Sequence, residues 1–102
     1  MGYQVRLTPD AENDLRHIHK HIADNGAPGV ARAYVNRILG YVSGFDTFPK
    51  RGTMRDDLRP GLRVVGFERR VSIAFVVEPE EVVILRILYA GQQFEGVRSH
   101  DD

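Results

Sequence analysis

Between Gly61 and Tyr89 the chain passes through three short apolar runs separated by turn chemistry, and no other feature constrains its fold as much. The first run is Gly-Leu-Arg-Val-Val-Gly-Phe, broken by Glu68-Arg69-Arg70. The second is Val-Ser-Ile-Ala-Phe-Val-Val, and the third, beyond Glu78-Pro79-Glu80-Glu81, is Val-Val-Ile-Leu-Arg-Ile-Leu-Tyr. Runs of this length rich in β-branched and aromatic residues, with turn residues between them, predict an antiparallel meander. The third run is apolar at nearly every position, which predicts a central strand covered on both faces. Arg86 interrupts it. Burying a lone charge is costly, so Arg86 calls for an ion pair with Asp14 or Glu12 of the first helix, or else for a place facing a partner at a groove.

The residues before Gly61 supply a cover for this sheet. Tyr3 to Leu7 alternates at period two, the pattern of a half-buried strand. Thr8-Pro9-Asp10 then starts a helix: Thr8 can cap, Pro9 suits the first helical position and Asp10 suits the positive end of the dipole. Ala11, Leu15, Ile18 and Ile22 form one apolar stripe, and Asn25-Gly26 ends the helix. A second helix opens at Ala27 or Pro28. Its stripe is wider, from Ala31, Tyr34, Val35, Ile38, Leu39, Val42 and Phe45, and Phe48-Pro49 is expected to stop it. So short a link makes the pair an antiparallel hairpin. Lys50 to Pro60 reads as polar and irregular. The expected class is α+β, with an N-terminal strand, a two-helix hairpin and a three-stranded antiparallel meander in one sheet. The first strand reaches the sheet through the hairpin, so it can pair in parallel with a later strand; the strand order stays open.

A chain of 102 residues is expected to be one domain, with a core over residues 3–95 and a flexible tail at 96–102. It has no cysteine, which excludes a disulfide framework and a thiolate zinc site. No segment resembles a signal peptide or is long enough to span a bilayer, so a cytoplasmic setting without membrane contact is expected. Formal net charge is zero, against the basic footprint of a nucleic-acid binder. A local cluster of Lys50, Arg51, Arg55, Arg59, Arg63, Arg69 and Arg70 nonetheless stands out.

Three constellations offer chemistry. His17 and His21 share one helical face at a spacing that suits a metal, but a third ligand is missing, and the bland reading is a solvated boundary. No cofactor is expected. Arg63, Arg69, Arg70 and Arg86 can supply cations to a phosphorane, and Glu68, Tyr89 or His100 acid–base groups. No spacing fixes them on one face, and Arg69 and Arg70 read equally as a solvated turn. Tyr89, Phe94 and Val97 either fold back on the core or wait for a partner.

Taken in order, these parts resemble the bacterial toxin–antitoxin superfamily that includes the RelE and ParE toxins. The carriers are Leu7-Thr8-Pro9 with Ala11-Glu12-Asn13-Asp14-Leu15 and Ile18, then Phe48-Pro49, then Leu58-Arg59-Pro60-Gly61-Leu62-Arg63, and above all Val83-Ile84-Leu85-Arg86-Ile87-Leu88-Tyr89-Ala90-Gly91. RelE-like messenger nucleases are expected to carry basic residues and then a tyrosine after this last strand, where this chain has Gln92-Gln93-Phe94. Tyr89 suits the structural aromatic of the ParE branch. The resemblance therefore implies a ParE-like toxin with no catalytic residues, which inhibits DNA gyrase by protein–protein contact and is neutralised by a cognate antitoxin whose C-terminal segment wraps it. It implies no direct nucleic-acid contact except through the antitoxin. Arg63, Arg86, Tyr89 and Phe94 are the expected partner contacts. The alternatives are a RelE-like ribosome-dependent endoribonuclease using some of Arg63, Arg69, Arg70 and Tyr89, and an inert member that only binds antitoxin.

Overall fold

Thr8 ends the first strand and begins the first helix. Strand β1 spans Gln4–Leu7 and helix α1 Pro9–Asp24. The Thr8 hydroxyl accepts the Ala11 N–H at 3.1 Å, satisfying one of the donors that a helix start leaves unpaired. Asn25 and Gly26, the latter at φ +86°, turn the chain, and Pro28 opens α2, Pro28–Ser43. This helix ends before Phe48-Pro49, contrary to the sequence expectation. Gly44 caps it, and the chain tightens into a 3-10 turn, Gly44–Asp46, which carries Phe45 into full burial. Of the expected stripe, Ala31, Tyr34, Ile38 and Val42 are buried, whereas Leu39, one step round the helix from Ile38, is 38% exposed.

A two-residue strand β2, Thr53–Met54, lies within the stretch that reads as irregular, and β3 (Arg63–Phe67), β4 (Val71–Val77) and β5 (Glu81–Tyr89) form the meander. The computed structural model describes residues 2–89; Phe94 and the tail at 96–102 lie outside them. Among the described residues the sheet has the order β1-β5-β4-β3-β2 and is mixed: β1 runs parallel to β5, and the other pairs are antiparallel. The class is α+β as expected, with an extra edge strand.

One face of the sheet packs on the helical hairpin. Val71, Ile73 and Phe75 of β4, with Val82, Ile84 and Ile87 of β5, meet Ala11, Leu15 and Ile18 of α1 and Ile38 and Val42 of α2 in one core. Val83 and Leu88 on the other face of β5 are buried too, so this strand is covered on both sides as its sequence predicts. Strict alternation would put Ile84 and Ile87 on opposite faces. A bulge resolves the conflict: Ala74 pairs with Arg86 but Phe75 with Ile84, leaving Leu85 as the extra residue,.

Candidate interaction surface and the arginine network

The bulge in β5 falls where β1 stops, since β1 pairs only as far as Leu7↔Ile84. Beyond that point the edge of β5 needs other hydrogen-bond partners, because buried backbone groups are rarely left unpaired. The start of α1 provides them. The Thr8 N–H donates to Ile84 O at 3.0 Å and the Thr8 hydroxyl to Leu85 O at 2.9 Å. The Asp14 carboxylate accepts the Ile87 N–H at 2.8 Å. The same carboxylate takes Nε and Nη2 of Arg86 at 2.8 and 2.9 Å. Asp14 is 5% exposed and the Arg86 side chain 18%. The charge in the middle of the apolar strand is thus a bidentate pair tying α1 to the sheet, and Asp14 holds the Arg86 guanidinium firmly charged, its pKa raised by that hydrogen bond.

Three arginines of the basic cluster are engaged in local contacts. Arg51 stacks 4.6 Å from the Phe45 ring centroid and donates to Phe48 O at 2.8 Å. Arg55 forks onto Asp57 at 2.9 Å through both bonds. The Asp56 carboxylate accepts the Gly61 N–H at 2.8 Å. Arg63 is half-buried, with Nη1 3.4 Å from Arg51 O. These arginines shape the 49–62 loop, which is why a segment with little apolar content still has a defined path. Gly52 is a second reason. At φ +76° it approaches β3 so closely that a Cβ there would lie 2.4 Å from Val64 O.

Of the predicted partner residues, Arg63 and Tyr89 do not converge, and Phe94 lies outside the described residues. Arg63 starts β3, while Phe67 at its other end is in register with Val71 and so with Tyr89. Four residue steps along the strand separate the two positions, about 13 Å at the usual rise. Tyr89 belongs to a different group: its ring lies 5.6 Å from His21 and 6.1 Å, edge to face, from Tyr34. Tyr34 in turn lies 6.3 Å from Phe67. The sequence reading missed this aromatic corner, which brings together α1, α2, β3 and β5. Its centre, Tyr34, is 7% exposed, and its hydroxyl is buried with no hydrogen-bond partner among the described residues. Burial, as the largest cause, pushes the Tyr34 pKa up.

Beside this corner, the β3–β4 turn places Glu68 at φ +50° and Arg69 at φ +65°. A tight hairpin turn with both central residues in the left-handed region favours Asn-Gly. Here the unusual pair is anchored: Arg37 of α2 forks onto Glu68 through two 2.9 Å bonds. Its guanidinium also sits 5.1 Å above the Tyr34 ring. The hydrogen bond from Arg37 holds the Glu68 carboxyl below its ordinary range. Arg69 and Arg70 are exposed and form no ion pair among the described residues. In the sequence, the signal for this arrangement was a charged Glu-Arg where a hairpin wants Asn-Gly.

A two-helix hairpin laid on a mixed sheet, with its first strand parallel to its last, is an architecture found in solved toxin–antitoxin systems. A chain of the chromosomal ParDE system from P. aeruginosa superposes with a TM-score of 0.76 at 29% identity, covering 87% of this chain and 97% of that one. A chain of the RelBE2 toxin–antitoxin complex from Mycobacterium tuberculosis gives 0.56 at 21% identity, covering 87% and 99%, which shows the fold alone. Toxin ParE3 of Caulobacter vibrioides is 36% identical over 88 residues, 86% of each chain. Residues 5–94 match the family model of the ParE toxin of type II toxin–antitoxin systems. The chain belongs to the ParE toxin family. Among the described residues, no helix is long and apolar enough to cross a membrane.

Proposed function

We propose that this ParE-family toxin works inside the cell as a binding protein: it inhibits DNA gyrase by contact, catalyses no reaction itself, and is neutralised by a cognate antitoxin. The observation that carries the reading is the sequestration of Arg86. A phosphoryl-transfer site needs cations aimed at one developing charge, but Arg86 is occupied by Asp14. Arg63 starts β3 while Tyr89 is in register with its far end, so the endoribonuclease alternative loses Arg63 and rests on Tyr89 with Arg69 and Arg70 of the adjoining turn.

Arg63, Tyr89 and Phe94 remain the proposed partner contacts, with Arg86 reaching a partner only past Asp14. An antitoxin segment has an edge to extend. β2 pairs only with Arg63 and Val64, so Val65 to Phe67 have no outer strand neighbour among the described residues, and strand addition is a common mode of peptide capture. Exposed Met54 and Phe48, at 44% and 71%, add apolar surface that a wrapping segment would bury. The test is pulse-labelling of DNA and protein synthesis after controlled induction of this chain alone, followed by a supercoiling assay with purified gyrase. DNA synthesis is expected to stop first. Translation stopping first would overturn the reading in favour of messenger cleavage.

A further inference from the structure

Arg37 and Glu68 form a carboxylate seat that the chain fills with its own residue. The seat has three parts: the Arg37 fork, with both bonds to the Glu68 carboxylate at 2.9 Å; the Tyr34 ring beneath the guanidinium; and Arg69 and Arg70 on the adjoining turn. Bidentate guanidinium–carboxylate geometry is selective for planar anions. The internal occupant is held awkwardly, because Glu68 and its neighbour Arg69 both sit at positive φ, where side-chain-bearing residues are strained. The pair is also open to solvent, with side chains 51% and 39% exposed. Close by is the buried Tyr34 hydroxyl, which has no hydrogen-bond partner among the described residues and on which Glu68 and Arg70 both act electrostatically.

We propose that this corner is a docking site for a protein segment bearing an acidic side chain, whose carboxylate replaces Glu68 on Arg37 while Arg69 and Arg70 steer its approach. Glu68 is then an internal competitor, and its release lets the β3–β4 turn relax. An acidic protein segment fits better than nucleic acid. Three cations, on one turn and the helix residue paired to it, are few; the chain carries no net charge; and affinity for a phosphate backbone comes from many spread contacts. The inference stands apart from the gyrase reading, since it concerns what this surface binds and not which process stops.

The test uses the full chain, with a short Glu-rich peptide as probe and its Gln-substituted counterpart and a DNA duplex as comparisons, followed by NMR titration. The Glu peptide is expected to shift the Arg37 side-chain and Tyr34 ring signals. Loss of the charged fork in Arg37→Gln should weaken binding about tenfold or more. Glu68→Gln, which removes the competitor and leaves the fork, should tighten it several-fold. Equal binding of the Gln peptide, stronger binding of the duplex, or unchanged or weaker peptide binding in Glu68→Gln would each overturn the proposal. A folded Arg37→Gln spectrum with undiminished affinity would do so as well.

Discussion

Asp14 is the residue on which most depends. One carboxylate accepts both bonds of the Arg86 fork and the Ile87 N–H, so Asp14→Ala strands a part-buried guanidinium and a buried strand donor together. Breaking a fully buried pair from one side costs about 3–5 kcal/mol; with Arg86 only part-buried the lower end of that range applies, still a large share of a typical domain's stability. Urea unfolding should show a midpoint shift of that order. The double change Asp14→Leu with Arg86→Met should recover part of the loss, because it removes the unpaired charge, though the Ile87 N–H stays unmatched. Tyr34 makes the opposite case. Its buried hydroxyl has no hydrogen-bond partner among the described residues, so Tyr34→Phe is expected to leave stability unchanged or raise it by up to about 1 kcal/mol, read from the same unfolding curves. Glu68 supplies a pH dependence. Its pKa is lowered in the fold by Arg37, so its contribution is complete above the ordinary Glu range and disappears as pH falls through the depressed value. NMR of Glu68 and Arg37 across the acid range should show the fork releasing below the ordinary Glu pKa. Release at or above that value would contradict the assignment.

At the scale of elements, the sequence was legible wherever local chemistry and tertiary packing agreed. Thr8, Pro9 and Asn25-Gly26 marked the ends of α1, and the three apolar runs marked β3, β4 and β5. The Asp14 carboxylate that Arg86 required was also within reach of the sequence. The end of α2 was misplaced because Phe45 looked like one more residue of a helical stripe, whereas it gains its burial by leaving the helix at Gly44. β2 was invisible because two exposed residues have no periodicity; it exists because Gly52 lets the chain press against Val64. Gly52→Ala, which combines a positive φ with a clash against backbone, is expected to cost more than about 1 kcal/mol and to detach β2. Hydrogen exchange should then speed up at Thr53 and Met54 while the β4 amides stay protected. The candidate surface was the least legible part. Tyr34, His21, Phe67 and Tyr89 come from four elements, and no spacing in one dimension announces that they meet.

Across the whole molecule, the zero net charge conceals how the arginines are used. Arg6, Arg37 and Arg55 form exposed pairs with Glu81, Glu68 and Asp57, and such pairs contribute little and are screened by salt. Stability rests instead on the core between hairpin and sheet and on the shielded Arg86–Asp14 pair. The thermal midpoint should therefore change little between low and moderate sodium chloride, as followed by circular dichroism. A steep fall would mean that the surface pairs matter more than their exposure implies.

The pairing of β1 with β5 also has a consequence for the order in which the molecule can be made. Gln4 to Leu7 leave a ribosome more than seventy residues before their partners Glu81 to Ile84. Until β5 emerges, β1 has no neighbour, and Thr8 and Asp14 have no strand to hold. Such long-range closure is slow compared with local helix formation. A growing chain can thus assemble its helical hairpin while the sheet is still missing the strand that joins its two ends. A translation product interrupted before Glu81 would lack the platform that brings Tyr34, Phe67 and Tyr89 together, so a partly synthesised toxin should be unable to present that surface.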